Sequence, residues 1–154
     1  MAERTDAFAS RIGDAMKLRL EEHVAANADQ WRTAPADVKF GLDDSWEQGP
    51  FPLVGITIPS LTDQNLDATG GRSEVAIMII AFVSEPSAPE RALHEMVADI
   101  RRAFVEPSDG RQLGTVLASG LLFFDGWEIA PDPSGISVAV LNYRGLFQWD
   151  ESAA

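Results

Sequence analysis

The stretch from Glu74 to Val105 constrains the fold of this chain more than any other. Its first half, Val75–Val83, is apolar at nearly every position. A half-exposed strand would alternate apolar and polar residues, so this run predicts a central strand with both faces covered. From Ala88 to Val105 the pattern changes to a helical period, and one stripe carries Leu93, Met96, Val97, Ile100 and Phe104. The stretch therefore predicts a buried strand followed by a helix that lies back on the sheet.

A first helix is predicted from Thr5 to about Asn27. Its apolar residues recur at every fourth position, as Phe8, Ile12, Met16, Leu20 and Val24. Because an α-helix has 3.6 residues per turn, this spacing winds the apolar stripe around the helix by about 40° per step. Leu18 widens the stripe further. Two interpretations fit a wide stripe: contact with a neighbouring subunit as well as the core, or a long helix that wraps its own core.

Three further segments have the composition of strands. Phe51–Ile58 is the first, and Pro59 is expected to end it. The second is Leu121–Ala130, with Phe123, Asp125, Trp127 and Ile129 expected on one face. The third runs from Ile136 to about Trp149, and the turn sequence between the last two predicts an antiparallel hairpin.

The order helix, strand, strand, helix, strand, strand predicts an α+β domain. We expect a four-stranded, largely antiparallel sheet with helices packed on it. A single domain is expected to span residues 1–154, with residues 150–154 as a frayed tail.

Two irregular segments are candidates for contact with other proteins. Ser60–Arg72 is a long polar link between two strong strands, which predicts a hairpin with an extended tip. We interpret this link as an arm that orders on a partner, since loops of this length are uncommon in compact domains. Glu106–Gly120 is a second flexible region. Together with the widened helix stripe, these segments supply the candidate interface residues Leu18, Gln64, Asn65, Asp67, Arg72 and Gln112.

Charge argues against several classes of partner. The chain has 24 acidic residues against 12 Lys and Arg, a formal net charge of −12. Basic clustering is limited to Arg101-Arg102, too little for a nucleic-acid footprint. The acidic surplus fits either simple solubility or a surface that DNA slides past without binding. No membrane partner is expected, because Val75–Val83 is far shorter than the roughly 20 residues of a spanning helix.

The residues that usually carry catalysis do not form a recognisable set. His94-Glu95 begins like the zinc-protease helix motif, but Ala98 stands where the second histidine should be. His23 is explained as a cation near the end of a helix. The acid pair Asp43-Asp44 is more typical of a solvated loop than of a metal site. We therefore predict a protein that is not an enzyme, with no catalytic, cofactor-binding or metal-ligating residues.

Three parts of the chain together carry a resemblance. They are the leading helix Arg4–Asn27, the strand and helix Val75–Phe104, and the closing strands that contain Ile129–Asp132 and Gly135–Phe147. In this arrangement the chain resembles the tail terminator family of tailed bacteriophages, also called minor tail or tail-completion proteins. The resemblance implies a small α+β subunit without an active site.

The resemblance also implies partners and a location. Its subunits would form a ring, expected to be a hexamer, that caps the tail tube. The implied partners are other copies of the chain, the tail tube protein and the head–tail connector protein, while DNA crosses the pore without specific binding. The protein would reside in the virion tail, and in the host cytoplasm during assembly.

Other interpretations stay open at this point. One is a soluble α+β domain that binds a small molecule or acts as an enzyme, with Trp127 lining its pocket. Another is a different phage neck or head-completion protein, or a terminator from a contractile or gene-transfer particle.

Overall fold

The computed structural model describes residues 8–41, 46, 48–65, 70–84, 89–104, 121–130 and 136–150. Within these ranges the elements are α1 (Phe8–Ala26), β1 (Asp37–Phe40), β2 (Leu53–Asn65), β3 (Gly70–Val83), α2 (Pro89–Ala103), β4 (Leu121–Ala130) and β5 (Ser137–Asp150). The α+β class is confirmed. Three predicted features lie outside the described residues: the tail beyond Asp150, the flexible Glu106–Gly120 segment and the acid pair Asp43-Asp44.

The strands form one mixed sheet in the order β1-β2-β3-β5-β4. β1 runs parallel to β2, and all other neighbours are antiparallel. The predicted count of four strands and the predicted element order were therefore wrong by one strand. β1 has only four residues, Asp37–Phe40, and so short a strand has too few positions for an alternating pattern to stand out.

The helices cover one face of the sheet. On that face, every second residue of β3 is fully or almost fully buried, namely Val75, Ile77, Ile79, Ala81 and Val83. The residues between them, Ala76, Met78, Ile80 and Phe82, keep partial exposure. The prediction that both faces of this strand are covered was wrong for the second face. The apolar run reflects a strand in the middle of the sheet with one closed face and one partly open face.

Each helix lies over a different part of the sheet. α1 packs against β1 and β2 and buries Ile12, Met16 and Leu20, whereas α2 packs against β3 and β5. Gly13 allows α1 to approach β1 closely, because a Cβ atom there would lie 2.1 Å from the ring of Phe40. The two helices thus divide the covered face between the β1 side and the centre.

A tryptophan covers the second face at β2. The ring of Trp46 lies over Gly55, where a Cβ atom would come within 2.4 Å of it. Trp46 also meets Phe82 in an edge-to-face contact at 5.7 Å. Trp46 therefore covers this face at Gly55, next to the central strand.

Most of the polar link Ser60–Arg72 belongs to the hairpin of β2 and β3. β2 continues past Pro59 through an irregularity between Thr57 and Ser60, and it pairs with β3 as far as Asn65. The predicted hairpin is confirmed, whereas the prediction that Pro59 ends the strand was wrong. Residues 66–69, at the tip, lie outside the described part. Backbone pairing defines these strands, since β5 also pairs with β3 as far as Gly70, and a polar sequence without apolar alternation reads as a loop.

A β-bulge interrupts β4. The register with β5 shifts between Phe124 and Gly126, and Gly126 has a φ of 119°, a backbone conformation that favours glycine. Asp125 is the extra residue. Phe124 pairs with Tyr143 before the bulge and Trp127 pairs with Leu141 after it.

The bulge changes which side chains share a face. Tyr143 and Leu141 are both buried beneath the helices, so Phe124 and Trp127, their partners across the ladder, lie on that same face. The predicted alternation, with Phe123, Asp125, Trp127 and Ile129 on one face, was therefore wrong. An inserted residue reverses the alternation for all positions after it.

Candidate functional site

A hollow of about 350 Å³ lies where the end of α2 meets β4 and β5. We call it the arginine hollow, and its described lining is Arg101, Phe104, Leu122, Phe123, Phe124, Asp125, Tyr143 and Arg144. The last turn of α2 supplies Arg101, and neighbouring strands at the edge of the sheet supply most of the rest. The hollow therefore depends on how α2 sits beside β4, two elements that are distant in sequence.

Two arginines at the hollow stack on aromatic rings. The guanidinium carbon of Arg101 lies 4.1 Å from the ring centroid of Phe124. That of Arg144 lies 5.3 Å from the ring centroid of Phe123. Both distances fall within the roughly 6 Å reach of a cation–π interaction. Because successive side chains of a strand point to opposite faces, the two arginines approach the hollow from opposite sides of β4.

Both guanidinium groups retain donors for a partner. Arg144 lies 3.9 Å from carboxylate oxygens of Glu74 and of Asp125, beyond hydrogen-bond distance. Within the described ranges, Arg101 has no ion pair with an acid. A guanidinium carries five N–H donors in a fork that matches a carboxylate. The hollow thus presents Arg101 without an ion pair among the described residues, whereas Arg144 lies between two carboxylates.

Tyr143 forms an aromatic floor on the helix-covered side of the hollow, together with Phe124. It is only 5% exposed, and its ring contacts Phe104 at 5.6 Å and Phe124 at 5.2 Å. Burial raises the pKa of the Tyr143 phenol well above its usual value, and the positive charge of Arg101 lowers that pKa by a smaller amount. The phenol is therefore neutral at physiological pH. The floor of the hollow is apolar and uncharged, and only its walls carry charge.

The two histidines lie in separate places and contact tryptophan rings. Trp31 Nε1 donates to Nδ1 of the buried His23 at 3.1 Å, so that nitrogen carries no proton. His23 is a hydrogen-bonded interior residue, which replaces its interpretation as a cation at a helix end. His94 is exposed on α2, 3.6 Å from Glu90, and its ring meets that of Trp127 at 5.2 Å. These contacts give both histidines a structural explanation.

No group of three or more His, Asp or Glu side chains in the described part of the chain is arranged to hold a metal ion. In that same part, neither helix combines the length and the apolar character needed to cross a membrane.

A second surface lies on the outward side of α1. Its exposed residues fall within one arc of the helix, and we call them the outer α1 face: Asp14, Leu18, Glu21, Glu22 and Ala25. Leu18 is 57% exposed, an unusual position for a large apolar side chain. Leu18 does not pack against the core of its own chain. The interpretation of the wide stripe as a long helix that wraps its own core was therefore wrong for this residue.

The other predicted interface residues are placed only in part. Gln64 pairs with Arg72 across the β2–β3 hairpin, and Asn65 pairs with Gly71. Asp67 and Gln112 lie outside the described residues. The hairpin therefore brings three of the candidates to one end of the sheet.

Solved structures with a similar fold include a chain from the virion of a native gene transfer agent (GTA) particle. The fold is found in a virion. The two chains share a TM-score of 0.56 and 15% sequence identity, and the match covers 88% of this chain and 96% of that chain. At this identity the likeness shows a shared fold. No protein-family model and no curated protein sequence matches the chain.

Sequence patterns did not reveal the arginine hollow. The Arg101-Arg102 pair was visible, but its two members serve different purposes. Arg102 donates to Asp99 at 2.8 Å, whereas Arg101 lies over Phe124. The neighbouring Phe123 and Phe124 were the one available signal, since a strand presents such a pair on both of its faces.

Proposed function

We propose that this chain is a structural protein of a phage-like virion, in which it forms a ring that caps the tail tube and joins it to the head-side connector. The observation that supports this most is the fold shared with a chain of a gene transfer agent virion, a phage-like particle. The match extends over 88% of this chain and 96% of the other, so it concerns the whole architecture. A structural role needs no active site.

The surfaces of the chain support an assembly role. A ring subunit contacts its two neighbours through two different surfaces, because each contact is heterologous and the rotation must close. The arginine hollow lies towards the β4 edge of the sheet, and α1 lies over β1 and β2 at the other edge. The chain thus carries two distinctive surfaces towards opposite edges.

The β2–β3 hairpin is the proposed contact with the tube or with the adjacent subunit. It carries Gln64, Asn65, Asp67 and Arg72, and Gln112 is a further proposed contact residue. Its strands continue beyond the irregularity between Thr57 and Ser60 and pair as far as Asn65 and Gly71. The net charge of −12 fits a pore that DNA crosses without binding.

Polymerisation of the tail tube protein in the presence of the chain tests this function. We expect the chain to sit at tube ends and to shorten the distribution of tube lengths seen by electron microscopy. Tubes that grow to the same lengths with and without the chain, and carry none of it at their ends, would contradict the proposal.

Deletion of Gln64–Gly70 tests the hairpin separately. The variant should keep its circular dichroism spectrum but lose capping, and a chain that lacks only residues 151–154 is the matched control. Normal capping by the hairpin deletion would remove the hairpin from the proposal and leave the ring function standing.

A further inference from the structure

We propose that β4 of one copy pairs with β1 of a second copy, so that the sheets of neighbouring copies join edge to edge. This inference rests on the proposed function, because a ring requires a repeated contact between copies. β1 and β4 are the two outer strands of the sheet, and no described strand pairs with the outer side of either. An outer strand presents N–H and C=O groups that another extended backbone matches.

One row of residues crosses the sheet and determines which backbone groups of β4 face outwards. Its members are partners across successive strands, namely Phe40, Ile56, Ile79, Leu141 and Trp127. Gly41 N donates to the carbonyl of Ile56 at 3.0 Å, so the backbone of Ile56 faces β1. Opposed residues of antiparallel strands either exchange both hydrogen bonds or exchange none, in alternation. Ile79 and Leu141 therefore bond each other, and Trp127 turns its N–H and C=O to the free edge.

The outward groups of β1 follow from the same bond. Phe40 is the partner of Ile56 in a parallel pair, in which the bonds of Ile56 go to the residues on either side of Phe40. Phe40 and, two residues earlier, Val38 thus face the free edge. Asp37 Oδ1 accepts from Val38 N at 2.9 Å, which shows that this N–H has no strand partner in the single chain. In the joined sheet, a carbonyl of β4 replaces that carboxylate.

Antiparallel pairing then matches apolar side chains on the helix-covered face. Ile129 lies two residues after Trp127 and turns the same way. Trp127 comes opposite Phe40 of the second copy, and Ile129 opposite its Val38. Trp127 is 37% exposed in the single chain, and this pairing covers it. Aromatic and aliphatic cross-strand pairs each contribute roughly 0.2–1 kcal/mol.

The same register matches opposite charges on the other face. Glu128 lies between Trp127 and Ile129, and Lys39 lies between Val38 and Phe40, so the two come directly opposite each other. The chain has a net charge of −12, so a contact between copies needs such a match. Pairing β4 with β4 about Glu128 would instead place two carboxylates together, which is destabilising.

The strand directions and the register agree with a closed ring. β4 runs opposite to β1, so copies related by rotation about an axis along the strands pair these edges antiparallel. Phe40 and Trp127 end one row of the sheet, and their pairing continues that row into the next copy. Successive copies therefore stay level along the axis, whereas a shifted register would produce a helical filament.

Engineered cysteines test the contact directly, because the chain has no cysteine of its own. Positions 128 and 39 would form a pair without mutual backbone bonds, with Cα atoms about 4.5 Å apart, which suits a disulfide. The double variant Glu128→Cys/Lys39→Cys should give a ladder of linked multimers on oxidation. Within one chain the two strands lie four spacings apart, about 19 Å, too far to link internally. Glu128→Cys/Arg91→Cys is the matched control and should stay monomeric.

Single-cysteine chains identify the partner strand. Glu128→Cys alone and Lys39→Cys alone should stay unlinked, and their mixture should give linked dimers and nothing larger. Linked dimers from Glu128→Cys alone would show that β4 pairs with β4 and would overturn the inference.

A proline at the free edge tests the backbone bonds. Ile129→Pro removes an outward N–H and leaves the bonds to β5 in place, so circular dichroism should show a folded chain. Self-association in sedimentation velocity should weaken by at least ~30-fold. Ile129→Ala keeps the N–H and is the control for the lost side chain, with an expected loss of at most about fivefold.

These outcomes separate the inference from the proposed function. If the wild type assembles and caps tubes, while Ile129→Pro does the same and the double-cysteine chain stays unlinked, the ring stands and this contact is wrong. If the wild type neither self-associates nor binds tube protein at any concentration, both fail.

Discussion

Replacing Ile79 and Ile80 one at a time by alanine distinguishes the two faces of the central strand. Ile79 is fully buried and lies between Ile56 and Leu141, which are fully buried too. Ile80 is partly exposed on the other face. The two residues have the same side chain, the same strand and adjacent positions, so each serves as the control for the other.

The expected costs follow from burial. An Ile-to-Ala change removes three carbons, worth about 2.4 kcal/mol of transfer free energy when fully buried. A cavity closed on all sides adds to this at Ile79, giving a loss of about 3–4 kcal/mol. At Ile80 part of the side chain is already in water and the space opens to solvent, so we expect a loss of about 1–2 kcal/mol.

Urea denaturation, followed by circular dichroism at a concentration where the chain is monomeric, measures both losses. The dependence of the unfolding free energy on urea should keep the same slope in both variants, so that the midpoints alone report stability. Equal losses, or a greater loss for Ile80→Ala, would refute the conclusion that the helices close only one face of the sheet.

Three further substitutions test other parts of the structure by the same assay. Trp31→Phe removes the donor to His23 Nδ1 at 3.1 Å and should cost about 1–2 kcal/mol; a loss below about 0.5 kcal/mol would contradict the bond. Asp99→Ala leaves Arg102, its partner at 2.8 Å, without a counter-ion in a largely buried place and should cost about 3 kcal/mol; a loss below about 1 kcal/mol would contradict this. Because burial raises the pKa of Tyr143, the folded chain keeps a proton that the unfolded chain loses above pH about 10, so stability should fall there by up to ~1.4 kcal/mol per pH unit. Tyr143→Phe should remove that alkaline loss, and wild-type and variant curves that run parallel above pH 10 would contradict it.

Elements with a strong period were predictable from the sequence. The helical stripe around Leu93 and Ile100 predicted α2 over Ala88–Val105, and the observed helix is Pro89–Ala103. The last strands were also found, with β4 at the predicted bounds Leu121–Ala130. In these segments the apolar pattern and the covered face of the sheet agree, so local sequence suffices.

The remaining features depend on contacts that a local pattern does not contain. β1 is short, and it joins the sheet by parallel pairing with β2. The strand pairing beyond Pro59 occurs in a polar sequence that lacks the apolar alternation typical of a strand. The bulge at Asp125 reverses which side chains of β4 face the helices, and the composition of the strand does not indicate it.

Of the two candidate surfaces, the sequence indicated only the outer α1 face. Leu18 stood out because it departs from the four-residue spacing of α1, and it is exposed as an interface residue needs to be. The arginine hollow was not visible, because it requires Arg101 of α2 to meet Phe124 of β4 across more than twenty residues of chain. Only the folded chain brings those two side chains together.

Electron cryo-microscopy of virions assembled with the chain tests the central claim most directly. The account predicts a closed ring of copies at the end of the tail tube. Virions that lack the chain, or that contain it without contact between copies, would contradict the account.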